Sequence, residues 1–362
     1  MVSLDIFRAD PFSTLQMTSS IERIPYEPDG LDALGVFTDT PIRTTALAVE
    51  ERNGVLTILP TSQRGTPVST ERTTERRKMR YFETPRITQG DTIWASEIQN
   101  IRAFGQETEL MQVMAEAARR LSGPTGLLQN VRYTHENMRL AAVQGQLIDS
   151  DGSVIFNWFD EFGFQPALPI YWNLAAAVPN SIRPLCNELV RSMARSSKGL
   201  FTPQTRVVGL CGDAFYDQFT NHPDVIRTFV NWGDARDIRD GSQGRAFSTF
   251  SFSGIEWVNY RGSDDNTTIK IPDDQVKFFP IAPGVFERAL SPAETFEFVN
   301  TPGKEFYTIP IFDRDRNMFW RNEVYSYPLF ICKRPDVLRA GMMEALPGGM
   351  VQGGLDIPVE TA

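Results

Sequence analysis

The sequence predicts an α+β fold, and three stretches carry that reading. In residues 123–145, Leu127, Val131, Thr134, Met138 and Ala141 recur at spacings of four, three, four and three. That is one apolar stripe on a helix of about six turns, at 3.6 residues per turn. The helix gives out at Gly145 and hands the chain to a hairpin: Leu147 and Ile148, a turn at Asp149-Ser150-Asp151-Gly152, then Val154, Ile155, Phe156, Trp158 and Phe159. From about Ser181 helical and strand-type segments alternate, the pattern of helices packed on a mixed sheet. With 362 residues the chain can build two or three sub-domains with cores of their own.

Residues 1–40 scatter Phe12, Leu15, Ile21, Ile24 and Phe37 among prolines and small polar residues. Pro25, Pro28 and Gly30 break any helix longer than two turns. A segment this apolar that cannot form its own core lies along something else, either its own domain or a neighbouring subunit. Residues 41–88 read as β. Runs at 42–49 and 55–59 flank Glu51-Arg52-Asn53-Gly54, a hairpin pattern. A polar stretch over 61–80 then carries Arg64, Arg72, Arg76, Arg77, Lys78 and Arg80, with Glu71 and Glu75 among them, before Met79, Phe82, Pro85 and Ile87 resume an apolar pattern. One reading is a solvated loop. The other is a projecting two-stranded arm whose arginines make planar, bidentate ion pairs with another subunit. A nucleic-acid patch is the poorer third, because acidic residues interrupt the run.

Asp91 is placed to cap a helix over 92–104, with Ile93, Trp94, Ile98 and Ile101 as its apolar side and Gly105 as its stop. A second helix over 107–121 carries Leu110, Val113, Met114, Ala117 and Leu121 on one face. Pro124 then opens the long helix, whose other face, Gln129, Arg132, Glu136 and Arg139, is expected to meet water or another chain. Pro166 and Pro169 mark a boundary. Beyond it the pattern predicts a helix over 182–196, a buried strand at 206–211, a helix over 213–219 capped by Asp213, and a further helix at 225–232. Residues 235–244 read as a loop, 247–260 and 276–281 as strands, and Asp264-Asp265-Asn266 as a turn. Short β segments follow at 296–299 and 306–312. The aromatic run 319–332 is limited to an edge or a bend by Pro328. The glycine-rich tail from 341 onward is expected to be mobile on its own.

The composition, 41% hydrophobic and 22% charged, is that of a soluble globular protein. A net charge of -9 argues against free nucleic acid as a direct ligand. Cys186, Cys211 and Cys332 are far apart and odd in number, which fits reducing surroundings and core positions rather than a disulfide framework. The N-terminus lacks the apolar run of a signal peptide, and no apolar stretch approaches about 18 residues, so no membrane partner is expected.

Catalytic patterns are nearly absent. His135 and His222 are the only histidines, and His135-Glu136 fails the HExxH pattern because Arg139 stands where the second histidine should. Phosphate-binding glycine loops, a nucleophile elbow and metal-ligand cysteine spacings are all missing from the sequence. The pairs Asp160-Glu161, Asp264-Asp265 and Asp273-Asp274 read as turn and strand-end residues, and 313–317 as a charged turn without the glycine and closing glutamate of a calcium loop. No cofactor, metal or catalytic residue is expected.

An ordered series of short motifs carries a resemblance. It runs from Ile24-Pro25-Tyr26 and Leu34-Gly35-Val36-Phe37 through Arg64-Gly65 and Ile101-Arg102-Ala103-Phe104-Gly105. It continues with Thr134-His135-Glu136-Asn137-Met138, Gln144-Gly145, Asp151-Gly152 and Tyr260-Arg261-Gly262. It closes with Val299-Asn300-Thr301-Pro302-Gly303, Ser326-Tyr327-Pro328-Leu329 and Arg334-Pro335. From about Phe12 to Leu338 the sequence resembles the major capsid proteins of tailed phages, specifically the lambda-type capsid protein E family.

The resemblance implies the Hong Kong ninety-seven-like capsid fold. It maps residues 1–40 to an N-terminal arm, 41–88 to an extended E-loop, 89–175 with 326–345 to a peripheral domain on the long spine helix, 176–325 to an axial domain, and 346–362 to a flexible tail. It implies a non-enzymatic virion protein, made in the host cytoplasm, that assembles with copies of itself as hexamers and pentamers into an icosahedral shell around double-stranded DNA. Scaffold, portal and a decoration or cement protein are the further partners implied. The residues expected at subunit contacts are Phe12, Ile24, Tyr26, Phe37, Arg64, Arg72, Arg76, Arg77, Arg80 and Phe82. Lysine–asparagine cross-linking is not expected, since lambda-type shells are reinforced by a decoration protein. The rival readings are a gene-transfer particle or cargo compartment of the same fold, and an enzyme with an unrecognised site in 176–325.

Overall fold

The computed structural model describes residues 30–53, 76–100, 109–123, 126–176, 178–230, 249–260, 269–316 and 318–344. A short helix α1 (Gly30–Ala33) leads to β1 (Thr38–Pro41), and β2 (Ala46–Asn53) pairs antiparallel with β3 (Arg76–Glu83). Next come β4 (Ile87–Trp94), α2 (Ala95–Asn100), α3 (Glu109–Ser122) and the long α4 (Leu127–Val143). The hairpin β5 (Gln146–Ile148) and β6 (Val154–Asn157) runs into α5 (Trp158–Phe162) and β7 (Ile170–Tyr171). There follow α6 (Ile182–Ser197), β8 (Arg206–Cys211), α7 (Asp213–Thr220), α8 (Pro223–Val230), β9 (Thr249–Phe252), β10 (Ile255–Asn259) and β11 (Gln275–Ile281). The described chain closes with β12 (Phe286–Leu290), β13 (Tyr307–Phe312), β14 (Phe319–Ser326), β15 (Pro328–Cys332) and β16 (Arg339–Met342).

The two largest bodies of core among the described residues follow from this order. A six-stranded mixed sheet, β7-β16-β11-β8-β10-β9, has β8 parallel to β10 and antiparallel to β11. Trp172, Phe215, Phe219, Trp257 and Phe278 pack between this sheet and α7, each at most 2% exposed. Phe219 stacks on Trp257 at 3.9 Å, and Trp172 meets Trp257 edge-on at 5.5 Å. Burying each such ring contributes about 1.5–3 kcal/mol. The second core gathers Met138, Leu140, Ala142 and Val143 of α4 with Trp158, Phe286, Leu329 and Phe330. Its sheet is β1-β12-β15, with Pro328 opening the edge strand β15, where a missing N–H costs no ladder bond. Gly145 ends the long helix region at φ +85°, and a Cβ there would lie 2.3 Å from the Phe159 ring, so only glycine lets the chain reverse under that ring.

Several expectations are corrected. Residues 87–94 are a strand, not the start of a capped helix. All eight pair with β14, so sheet pairing overrides the helical spacing, and Asp91 faces Arg120 at 3.5 Å instead of capping. The helix after it is only Ala95–Asn100 among the described residues. β2 pairs with 76–83 rather than 55–59, and Asn53 lies within the strand opposite Arg76 instead of in a turn. Trp158 and Phe159 belong to α5, capped by Asn157, whose side chain accepts the Phe159 N–H at 3.2 Å. Gly212, not Asp213, is the N-cap of α7. Residues 296–299 form turns, because Phe298 and Val299 donate to the Thr295 carbonyl instead of a strand partner. The aromatic run 319–332 divides at Tyr327 into β14 and β15. The 235–244 loop, the Asp264-Asp265-Asn266 turn and residues 346–362 lie outside the described residues.

The largest correction concerns α4. Leu127, Val131, Met138 and Ala141 of its stripe are buried as expected, with Thr134 half-buried, but Arg132, Glu136 and Arg139 on the other face are buried too, at 7%, 8% and 1% exposure. What covers that face forms part of the candidate site.

Candidate assembly surface

Burying a row of charges requires partners for each of them. The row on α4 receives several from α1. Glu136 Oε1 accepts the Leu31 N–H at 2.9 Å and the Tyr260 hydroxyl at 3.0 Å. Arg139 reaches Asp32 at 2.7 Å and Glu136 at 3.4 Å, and its guanidinium lies 5.5 Å over the Phe330 ring. Leu31 is fully buried beside them. The chain then runs out along β12, with β1 parallel to it from Thr38 opposite Glu287 to Pro41 opposite Leu290. Phe37 packs against Phe286 and Phe330 at 5.4 and 5.3 Å. Residues 30–41 therefore form a strap on their own subunit.

A second charged group ties the strap further along. Arg288 holds Asp39 through two bonds of 2.6 Å and Glu305 through a third of 2.6 Å. Glu305 also lies 3.8 Å from His135 Nδ1, an ion-pair separation, while His135 Nε2 meets the Ser326 hydroxyl at 3.0 Å. His135 stacks on Phe306 at 5.5 Å. Burial raises the Glu305 carboxyl, but His135 and Arg288 outweigh it and hold the group at about 2. Burial holds His135 below its ordinary value despite Glu305. The network is thus Arg288 cationic, Glu305 anionic and His135 neutral at neutral pH.

The arm is built on the other side of α5. Leu47, Val49 and Phe82 point inward and are buried, and Phe82 meets Phe156, Trp158 and Phe162 at 5.6, 5.4 and 5.9 Å. Arg80 lies 5.3 Å over the Phe162 ring. On the opposite face Met79 and Tyr81 stand 55% and 68% exposed. Phe82 is thus buried in its own subunit's core, and Phe37 and Arg80 are half-buried against it. Arg76 and Arg77 occupy the distal end of β3, opposite Asn53 and Arg52. Phe12, Ile24, Tyr26, Arg64 and Arg72 lie outside the described residues. The sequence reading missed the exposed Met79 and Tyr81, although their two-residue alternation with the buried Phe82 is visible in the sequence.

Elsewhere the polar groups serve the fold. A cleft of about 480 Å³ is lined by Asn180, Arg183, Asn187, Asp224, Arg227 and Phe252. Within it Asp224 accepts the N–H groups of Asn180 and Ile182 at 2.7 and 3.3 Å, capping α6 from α8, and Arg183 lies over Phe252. All three cysteines are buried and free, and burial raises their thiols, that of Cys332 to about 12. The Asp313 side chain accepts the N–H groups of Asp315, Arg316 and Met318, a self-satisfied charged turn.

Comparison with known proteins places these features. The family model described as phage major capsid protein E matches residues 13–342. The major capsid protein of Pseudomonas phage KPP10 is 24% identical over 320 residues, covering 83% of this chain and 89% of that protein. The major capsid protein of Salmonella phage Felix O1 is 23% identical over 357 residues, covering 90% and 95%. Among solved structures, a protein described as a capsid protein of a prophage in E. coli CFT073 superposes with a TM-score of 0.53 at 12% identity, covering 91% of this chain and 98% of that one. The fold is the Hong Kong ninety-seven-like capsid fold that the sequence resemblance implied. The chain belongs to the phage major capsid protein E family, and its place is the virion capsid.

Proposed function

We propose that this chain assembles with copies of itself as hexamers and pentamers into a closed icosahedral shell around double-stranded DNA. The observation that carries the reading is the β2–β3 arm, which presents Met79 and Tyr81 to solvent beside the basic positions Arg76, Arg77 and Lys78. The arm serves as the E-loop, reaching a neighbouring subunit. In this reading α4 anchors the peripheral domain, 89–175 with 326–345, and four strands of the six-stranded sheet, β8 to β11, lie in the axial domain, 176–325. Specific interfaces bury on the order of 1,600 Å², and many modest contacts closed by symmetry give a stable shell. The net charge of -9 suits an inner wall that does not trap DNA. Scaffold, portal and a decoration protein are the partners in this reading, and no residue has a catalytic role.

The test is charge reversal at Arg76 and Arg77 in one variant, with electron microscopy of the product and circular dichroism of the subunit. The variant should fold and fail to form shells. Normal shells from it would refute the role given to the arm.

A further inference from the structure

The cleft between α6 and α8 has an acidic side that the fold uses and a basic side that it does not. Both carboxylate oxygens of Asp224 are engaged, because they accept the Asn180 and Ile182 N–H groups at the start of α6. Arg183 spans the cleft, donating to the Thr228 hydroxyl at 3.3 Å and lying 5.9 Å over the Phe252 ring. Arg227 is exposed beside it. Neither arginine has a carboxylate within ion-pair distance among the described residues: Glu188, the one acid on α6, pairs with Arg191 and Arg195 at 3.9 and 3.3 Å. Pro184 and Phe252 give the same cleft an apolar wall. A cleft of about 480 Å³ with two arginines over such a wall fits an occupant that is acidic and apolar by turns.

The chain carries such a segment to this place. Beyond β16 the Met342, Met343 and Glu344 carbonyls accept the N–H groups of Trp172, Leu174 and Asn173 at 2.9, 3.2 and 3.1 Å. Glu344 is thus held beside Asn173, and from 173 to Asn180 in the cleft is at most about 25 Å of chain. Residues 345–354, with Pro347 and glycines at 348, 349, 353 and 354, can span about 33 Å. After them comes Leu355-Asp356-Ile357-Pro358-Val359-Glu360, and residues 345–362 contain no lysine or arginine. In an extended chain a two-residue period turns Leu, Ile and Val to one side and Asp and Glu to the other. Residues 231–248 also join walls of the cleft, from α8 to β9, but their three aspartates and three arginines cancel.

We propose that the α6–α8 cleft is the docking site of residues 355–360 of the same chain. Ile357 packs on Pro184 and Phe252, and Asp356 and Glu360 pair with Arg183 and Arg227. Docked in this way, the segment beyond β16 clasps the edge of the six-stranded sheet to the two helices that line the cleft. The clasp lies within one subunit and holds whether or not copies assemble.

Protease access tests it on the dissociated full-length subunit. An endoproteinase that cuts before aspartate releases residues 356–362, and mass spectrometry follows that fragment from wild type, Arg227→Glu, Glu360→Arg and the combined variant. Circular dichroism verifies folding. Part-exposed pairs contribute modestly, so each single variant should release the fragment about fivefold faster, and the combined variant at close to the wild-type rate. In parallel, Asn187→Cys with Ile357→Cys is oxidised and run on a non-reducing gel; the native cysteines are buried and stay out of the reaction. The introduced thiols should disappear while the chain still runs at 40.8 kDa, and more slowly once Arg227→Glu is added. Equal release from all four proteins, no recovery in the combined variant, or thiols that stay free would overturn the docking. A band at twice the chain mass would overturn it too, by showing that the cleft takes the segment of a second copy.

Discussion

Replacing Arg139 by methionine tests whether the strap is held by the buried charges of α4. The substitution keeps most of the side-chain volume and removes the guanidinium. Arg139 is 1% exposed and Glu136 is 8% exposed, so the glutamate loses a buried cation 3.4 Å away while keeping the Leu31 N–H and the Tyr260 hydroxyl. Breaking a buried pair on one side costs about 3–5 kcal/mol. Loss of the stacking on Phe330 adds at most about 1 kcal/mol. Asp32 adds little, because its side chain is 34% exposed and rehydrates. The expected total, about 4 kcal/mol, is a large share of the roughly 5–15 kcal/mol that holds a typical domain folded. In urea the unfolding midpoint of the dissociated subunit, followed by tryptophan fluorescence, should fall by about 1 M. Trypsin should also cut faster at the exposed Arg43, just beyond the strap. Asp32→Asn should cost less than about 1 kcal/mol. A loss below about 1 kcal/mol in Arg139→Met, with cleavage at Arg43 unchanged, would show that the strap is held by Leu31, Phe37, the β12 pairing and the Arg288–Asp39 pair and not by the charges of α4.

Three further outcomes are expected. Stability should fall as pH drops: the unfolded chain protonates His135 below about 6.5 and Glu305 below about 4.5, whereas the folded chain resists both, holding Glu305 at about 2. Thermal melts at pH 7, 5 and 3.5 read this, and a melting temperature that does not change over that range contradicts it. Gly303→Ala would bring a Cβ within 2.0 Å of the Leu290 carbonyl oxygen, so it should cost about 2 kcal/mol or more and lower the melting temperature; an unchanged melt would show that the backbone there gives way easily. Asp224→Ala removes the cap that α8 lends to α6 and should cost about 1–2 kcal/mol, with Asp224→Asn recovering part of it in the same melts. Equal losses in the two Asp224 variants would remove the capping explanation.

Periodicity made the helices legible where one face alone decides the pattern. The 182–196 helix, the 206–211 strand and the turn at Asp149–Gly152 stand within a residue or two of where spacing puts them. Strand pairing was legible only locally. The Asn53-Gly54 pattern favours a nearby partner, but β2 finds one more than twenty residues on, because Leu47 needs Phe82 opposite it, with Val49 on the same buried face, to close the core over Trp158. Residues 87–94 show the same limit, since Ile93 and Trp94 fit a helical face as well as a strand until β14 arrives beside them. The charged row on α4 looked solvated because its partners lie far off in sequence: Leu31 is 105 residues from Glu136, and Tyr260 is 124. Of the candidate site, the basic run on the arm was legible. The turns at 296–299 were not, because a fully exposed phenylalanine among Glu, Thr and Val looks in sequence like an ordinary short strand.

The most direct test of the shell reading is electron microscopy of the purified full-length protein across salt and protein concentration, alone and co-expressed with a scaffold. Rings of five and six and closed shells tens of nanometres across are expected. A monomer or dimer that persists under every one of those conditions would contradict it.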